Sequence, residues 1–342
     1  MTATTDRSLA GPLPLPERPL VSIVIPCLNE ERYIVALLDS LAAQDYGADG
    51  IEVIVADGGS TDRTRELVRD YPLPFRRLEL VDNPKRITVG GLNAGMAAAT
   101  GDCWIIIGAH SVVRRDFVKE SVAALRRTGA ACVGGPIDTV GEGTVGRAIA
   151  AAMSSPFGVG NAKFRYADTE AEVDTVPFGC YHRRVWEVLG EFDETVDGAD
   201  EDSYNARLVE AGGRIVLVPE IRSTYYPRQT LKALAYQYWE YGAAKGTLLS
   251  RGRPLQPRHF VPSAMVAGGP ALYLLGRFWR PAKWLLRGLA AAYVVGGVVT
   301  SREAAQKHGA HPLLAFAAMA TMHASYGAGF LYGAWRERGQ QT

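Results

Sequence analysis

Two acidic stretches in this chain could do chemistry. Asp200, Glu201 and Asp202 are adjacent and open a segment that carries Tyr204, Leu208 and Val209 at helical spacing. Like charges held this close raise the pKa of one of them, which suits a general base. The same acids are also what a helix N-terminus favours through its dipole. Asp57 begins the run Asp57-Gly58-Gly59-Ser60-Thr61-Asp62. Its carboxylate can accept hydrogen bonds from a base or a ribose, and the two glycines let backbone approach a ligand closely. A plain strand-to-helix turn capped by Asp and Ser has the same residues.

The elements that must position these groups are legible as apolar runs. Val21 to Pro26 (VSIVIP), Ile51 to Ala56 (IEVIVA), Phe75 to Val81 and Cys103 to Ile107 (CWIII) read as strands. Between them, Ile34, Leu37, Leu38 and Leu41 recur at helical spacing after a capping Asn29 and the acids Glu30 and Glu31. A second helix follows Asp62 through Thr64, Leu67 and Val68, and Gly90 to Thr100 reads as a small-residue helix. This alternation predicts an α/β chain with an open, mostly parallel, Rossmann-like sheet flanked by helices. Ligands bind such sheets beyond the carboxyl ends of the strands. Asn29, Asp57 and His110 all follow strand ends and should gather on one edge.

Composition removes several function classes. The chain has 342 residues and a net charge of +1, so no strong field draws it to nucleic acid. Its four cysteines are far apart with no C-x-x-C pair, which points to free thiols in a reducing compartment and not to zinc or redox chemistry. The loop after the first strand, Pro-Cys-Leu-Asn-Glu-Glu, has no glycine, and no Walker lysine motif is present, so a dinucleotide fingerprint or phosphate loop is not expected. Residues 1–19 are proline-rich, lack the apolar stretch of a signal peptide, and are expected to form a disordered arm.

The last third changes character. Phe260 to Gly276, Gly288 to Thr300 and Pro312 to Ala334 carry no charge, and the last spans 23 residues. As a helix it would be about 34 Å long, enough to cross a hydrocarbon core. Arg277, Arg280, Lys283 and Arg287 lie between the first two stretches. Because basic residues favour the cytoplasmic side, the preferred arrangement has the first stretch dipping into or lying along the interface and the next two crossing. A buried helical core is the alternative.

With these pieces in order, the chain resembles family 2 glycosyltransferases of the GT-A fold. The resemblance runs from about Leu20 to Tyr241. It rests on Val21 to Glu30, Val53 to Asp62, Asn83-Pro84, Gly91-Leu92-Asn93-Ala94-Gly95, Gly101-Asp102, Gly190-Glu191-Phe192-Asp193-Glu194 and Asp200-Glu201-Asp202. The subgroup of succinoglycan-type exopolysaccharide enzymes looks nearest, through Tyr225-Tyr226-Pro227-Arg228, Gln237 to Gly242, and a tail with His323, Tyr326 and Gly327. The resemblance implies an inverting transfer of a hexose from a UDP- or GDP-linked donor to a hydroxyl of a lipid-linked glycan acceptor, at the cell membrane with the catalytic domain facing the cytoplasm. It implies that Pro26 and Glu30 line the nucleotide pocket, that Asp57 contacts the base, and that Arg86 approaches the base or diphosphate. Asp202, paired with Glu201, would be the general base, with Asp200 toward the acceptor. The expected division is an arm (1–19), a GT-A domain (20–228), an interfacial helix region (229–258) and a hydrophobic membrane region (259–338).

Two departures from the pattern stand out. Where the family carries D-x-D to hold Mg²⁺ or Mn²⁺, this chain has Gly108-Ala109-His110. His110 could ligate Mn²⁺, donate to a phosphate, or be a structural loop residue; otherwise Lys85, Arg86 and Arg228 would carry the charge compensation. The later Q-x-x-R-W motif of processive synthases appears only as Gln237 to Tyr241, which argues against a polymerase. Gln237, Trp239 and Tyr241 could pack on an acceptor sugar, or Tyr236, Trp239 and Tyr241 could form an interfacial aromatic belt. The rivals to a single-addition transferase are a non-catalytic membrane scaffold, favoured by Gly108, and a nucleotidyltransferase, disfavoured by the missing glycine-rich loop.

Overall fold

The apolar runs fold as strands in the computed structural model, which describes residues 8–195, 200–253 and 255–341. In chain order come β1 (Val21–Cys27), α1 (Ile34–Ala42), β2 (Ile51–Asp57), α2 (Thr64–Arg69), β3 (Arg77–Asp82), α3 (Thr88–Ala98), β4 (Cys103–Ile106) and β5 (Val112–Val113). They are followed by α4 (Phe117–Thr128), β6 (Cys132–Gly134), β7 (Ile137–Thr139), α5 (Gly143–Met153), α6 (Pro156–Val159), β8 (Ala171–Glu172), β9 (Cys180–His182) and α7 (Arg183–Leu189). The last are α8 (Asp200–Glu210), β10 (Ile215–Leu217), β11 (Ser223–Tyr225), α9 (Leu231–Ser250), α10 (Val261–Leu275), α11 (Arg280–His308) and α12 (Pro312–Gln341).

The chain divides into two units. The first, up to Asp138 plus Ala167–Tyr225, is the α/β unit. Its sheet has the order β3-β2-β1-β4-β9-β6-β10-β8. β1 is parallel to β2 and β4, with Cys27 opposite Asp57 and Val24 opposite Ile106, and β2 is parallel to β3. β9 runs antiparallel to both β4 and β6. Val21, Ile23, Val24, Ile25 and Ile51 through Ala56 are buried on both faces, as parallel strands covered by helices must be. The chain steps outward from β1 to β3, and α3 then carries it back to β4 on the other side of β1. The reversal leaves a crevice between β1 and β4, where open α/β sheets take their ligands.

The glycines of Gly91-Leu92-Asn93-Ala94-Gly95 are explained by the closeness of α3 to β1. A Cβ on Gly95 would lie 2.4 Å from Val24 Cγ1, and one on Gly91 would lie 3.0 Å from Pro26 Cβ. Residues 8–19 correct the expectation of a disordered arm. Leu9 is buried and its amide donates to the Ala211 carbonyl, Leu13 N–H donates to Gly129, and Tyr46 Oη donates to the Pro19 carbonyl. The apolar residues among the prolines (Leu9 and Leu15) pack onto the α/β unit, which composition alone does not reveal.

The second unit, Thr139–Tyr166 with Tyr226–Thr342, is helical. It corrects the expected boundaries. α5, within the span assigned to the α/β domain, buries Ala148 through Met153 and packs against α11 and α12. α9, set apart as an interfacial region, packs along α12. Their contact is backbone against backbone: a Cβ on Gly242 would lie 2.0 Å from Tyr326 O, on Gly246 2.1 Å from Phe330 O, on Gly329 2.1 Å from Trp239 O, and on Gly333 2.1 Å from Ala243 O. Each helix therefore presents two glycines four residues apart to the other, the small-x-x-x-small spacing that lets helices touch closely.

This contact also changes the account of the uncharged stretches. Pro312 to Ala334 was expected to cross a membrane, yet α12 buries Ala315, Ala318, Met319, Met322 and Phe330 among α5, α9, α10 and α11. Among the described residues, the one helix long and apolar enough to cross by length and composition is α11, Arg280–His308. Substituting Gly246→Val should destabilise the helical unit by about 1–3 kcal/mol through overpacking against Phe330. Gly268→Ala in α10, where a Cβ meets nothing within 4 Å, should leave stability unchanged or slightly raised. Thermal unfolding in detergent of the two variants checks the contrast.

Candidate functional site

At the crevice between β1 and β4 lies a cavity of about 270 Å³, lined among others by Pro26, Glu30, Gly58, Arg86, Thr88 and His110. Four of the residues singled out from the sequence, Pro26, Glu30, Arg86 and His110, therefore meet around one space. Arg86 is held there by its backbone. Its φ is 59°, its amide donates to the Asn83 carbonyl at 3.1 Å, and its guanidinium carbon would lie 3.9 Å from a Cβ on Gly59. A left-handed conformation is uncommon for arginine. Its guanidinium is exposed and makes no ion pair among the described residues. Lys85, next to it, is instead paired with Glu194, and that ammonium, with a hydrogen bond from Asn93, holds the Glu194 carboxyl below its ordinary pKa.

Asp57 stands under this site and does not line the cavity. Its side chain is fully buried, and its two oxygens accept from Ser60 Oγ (2.5 Å), Ser60 N (3.1 Å), Gly59 N (3.0 Å) and Arg65 Nη1 (2.6 Å). Arg65 also donates to Asp82 at the end of β3 at 2.8 Å. Burial alone would raise the Asp57 pKa, but the hydrogen bonds from Ser60, Arg65 and the loop amides outweigh it and hold the carboxyl below its ordinary range. Asp57 thus builds the loop in this structure.

The two sequence motifs are zipped together. Asn29, at φ 57°, donates its amide to Ser60 Oγ (2.8 Å) and accepts from Thr61 N (2.9 Å). Glu30 N–H donates to Thr64 Oγ1 (2.8 Å), and Glu31 N–H to Asp62 Oδ2 (3.1 Å). This leaves the Glu30 side chain free to reach His110, with Oε1 3.3 Å from Nδ1. Cys27 also lines the cavity, but burial first and the Asp57 charge second push its thiol up to about 12, so it is no nucleophile at neutral pH.

The acids of α8 are placed by an aromatic cluster. Trp104 of β4 stacks on Tyr181 of β9 with centroids 4.2 Å apart, and Phe192 stacks on Tyr204 of α8 at 4.0 Å. Tyr181 Oη donates to Asn205 Oδ1 at 2.9 Å. Asn93 ties in the neighbouring loop: its Nδ2 donates to Phe192 O and its Oδ1 accepts from Phe192 N. α8 therefore buries Tyr204, Asn205 and Leu208 and leaves Glu201 and Asp202 half-buried in its first turn. The charge of Glu201 acts, after burial, to raise the pKa of both Cys132 and Tyr181. The Asp200 side chain and residues 196–199 lie outside the described residues. Gln237 and Tyr241, on α9 in the helical unit, face one another, with Nε2 donating to Oη at 3.0 Å.

A divalent ion is poorly served by these residues. Among the described residues no group of three or more His, Cys, Asp and Glu could hold one. At Gly108 a Cβ would meet only Ser111 Oγ at 3.6 Å, so the position is open but carries no donor. His110 with Glu30 is a two-residue donor set with a single carboxylate, so an ion held there would take most of its shell from substrate phosphates and water.

Comparison with known proteins agrees with this geometry. A sequence model described as glycosyl transferase family 2 matches residues 22–188. The succinoglycan biosynthesis protein ExoA of Rhizobium meliloti (strain 1021) is 34% identical over 322 residues, 92% of this chain and 94% of that protein. A Methanococcus voltae dolichyl N-acetyl-alpha-D-glucosaminyl phosphate 3-beta-D-2,3-diacetamido-2,3-dideoxy-beta-D-glucuronosyltransferase is 32% identical over 242 residues, 68% of this chain and 74% of that one. The chain belongs to glycosyltransferase family 2. Its fold resembles that of the mannosyltransferase PcManGT from Pyrobaculum calidifontis, solved with GDP-Man and Mn²⁺, at a TM-score of 0.63, 21% identity and coverage of 96% and 91% of the two chains.

Sequence reasoning missed Arg65, Thr88 and the buried Glu52. Glu52 accepts from Ser22 Oγ (2.6 Å) and from the Thr100 amide and hydroxyl, which fixes the turn before β4. An acid inside an apolar strand run was the only available signal. Burial raises its pKa, but these hydrogen bonds and Arg77 outweigh that and leave it lowered. Folded-state pKa values below the unfolded ones stabilise at higher pH, and that contribution is lost as pH falls through the carboxylate range. Unfolding midpoints should therefore drop below roughly pH 4, and Glu52→Gln should flatten that drop while costing stability at pH 7. Arg65→Met should cost about 2–4 kcal/mol at pH 7 by leaving the Asp57 charge buried without its guanidinium, as read by denaturant unfolding.

Proposed function

We propose that this glycosyltransferase moves a hexose, with inversion, from a UDP- or GDP-linked donor to a hydroxyl of a lipid-linked glycan acceptor in extracellular polysaccharide or glycolipid assembly. The observation that carries the reading is the cavity at the sheet's switch point, where Pro26, Glu30, Arg86 and His110 converge. The nucleotide lies against Pro26 and the β1 loop, and the diphosphate takes the exposed Arg86 guanidinium and a donor from His110. Positive charge there stabilises the departing diphosphate. Glu30 orients the His110 ring through Nδ1. Asp57 acts through the loop it holds.

Asp202 takes the proton from the acceptor hydroxyl as that oxygen attacks the anomeric carbon from the face opposite the diphosphate. Glu201 keeps negative charge beside it, and Asp200 serves the acceptor. No step here runs through a metal. Support for a lipid-linked acceptor comes from the dolichyl phosphate named in one relative's substrate and from α11, whose length and composition suit a membrane. The catalytic unit then faces the cytoplasm, where nucleotide sugars are made.

The alternative, a scaffold that has lost transfer, is favoured by Gly108. Both are tested with membranes containing the full chain and radiolabelled UDP- and GDP-sugars. Asp202→Asn should lower transfer to lipid-extractable product by about 10²- to 10⁴-fold, with Glu201→Gln less affected. Gly108→Asp, which the open space at that position accommodates, should make transfer more responsive to Mn²⁺. Absence of transfer by the wild-type chain with every donor and added lipid-linked acceptors would leave the scaffold reading.

A further inference from the structure

Between Glu240 and Glu303 the chain contains no acidic residue and nine Lys or Arg. Four of these, Arg277, Arg280, Lys283 and Arg287, fall on the short link from α10 to α11 and the first two turns of α11. All four are exposed, and none forms an ion pair among the described residues. Elsewhere in the protein, exposed arginines such as Arg18, Arg114 and Arg127 do pair with acids. Large apolar side chains are interleaved with the four. Phe278 is 90% exposed and Trp284 66% exposed, with Trp279, Leu274 and Leu285 also open to solvent. The Arg287 guanidinium carbon lies 5.0 Å from the centre of the Trp284 ring.

Cations without counter-ions beside exposed indole and phenyl rings fit one environment. Tryptophan rings settle at the headgroup level of a bilayer. Juxtamembrane Lys and Arg are drawn to anionic headgroups. A protein partner with an acidic face would satisfy the charges but would not need the rings aligned with apolar residues on both flanking helices. The geometry points to the α10–α11 corner as a docking surface for an anionic bilayer, seating Phe278, Trp279 and Trp284 among the headgroups while Arg277, Arg280, Lys283 and Arg287 neutralise lipid phosphates. This rests on the membrane attachment proposed above and adds to it a particular corner of the fold and a selectivity for lipid charge. It also accounts for α10: at 15 residues it is short for a full span, and it lies along the surface that the corner anchors.

The test is flotation of the full-length chain, diluted from detergent, with phosphatidylcholine vesicles or with vesicles containing a minority of phosphatidylglycerol. Each cation near an anionic surface contributes about five-fold in partitioning. Arg280→Gln with Arg287→Gln should therefore lower partitioning into the anionic vesicles by about 25-fold, leave partitioning into neutral vesicles unchanged, and reduce the salt sensitivity of the anionic case. Phe278→Ala with Trp284→Ala should weaken partitioning into both. Equal partitioning of the wild-type chain into neutral and anionic vesicles would overturn the proposal while leaving membrane attachment intact. Displacement by soluble pyrophosphate at matched ionic strength would also overturn it, because that is the behaviour of a discrete phosphate site. No partitioning into either vesicle would remove both, and sugar transfer measured with a detergent-soluble acceptor would separately decide the enzymatic reading.

Discussion

The buried carboxylate of Asp57 is the constraint on which the site depends. It ends β2, has no exposed side-chain surface, and is charged at neutral pH because Ser60, Gly59 and Arg65 all donate to it. Those donors bend the chain into the Gly58–Asp62 loop. The loop and the start of α2 in turn bind the backbone of Asn29, Glu30 and Glu31 and the side chain of Asn29. Glu30 is thereby presented to His110, and Gly58 and Gly59 lie against Arg86. A single ionised group, expensive to bury unless fully hydrogen-bonded, thus sets the positions of residues from the ends of three strands.

The second acidic group is positioned by other means. α8 is fixed by stacked rings contributed by β4, β9 and the Gly190–Glu194 loop, and Asn93 of α3 holds that loop by two hydrogen bonds. Motifs far apart in sequence are therefore mechanical links in one assembly. Gly91 and Gly95 bring α3 onto β1 while Asn93, between them, grips the loop that supports the candidate base.

Much of the α/β unit was legible because its strands are apolar and β-branched and its helices repeat at 3.6 residues. The strand ends alone point His110 to this edge of the sheet, together with Asn29 and Asp57; the places of Pro26, Glu30 and Arg86 at the cavity came from the family resemblance. The local role of Asp57 was not legible, since an acid before two glycines looks the same whether it faces a ligand or a neighbouring arginine eight residues on. The packing within the helical tail was not legible for a related reason. Uncharged stretches rich in Gly and Ala satisfy a length criterion for crossing a membrane, but Gly242, Gly246, Gly329 and Gly333 use that smallness to press α9 and α12 together. Hydropathy cannot distinguish a helix packed on helices from one packed on lipid. The pairing of residues 139–166 with that bundle is a long-range contact that local patterning does not encode.

The claim on which the account rests is that the cavity between β1 and β4 receives the diphosphate of a nucleotide sugar through Arg86. Calorimetric titration of the detergent-solubilised chain with UDP and with GDP tests it most directly, alongside Arg86→Ala. One of the two nucleotides should bind, and the substitution should weaken that binding by about tenfold or more, the worth of a hydrogen bond to a charged group. Nucleotide binding that is indifferent to Arg86→Ala would contradict the account and place the donor elsewhere on the protein.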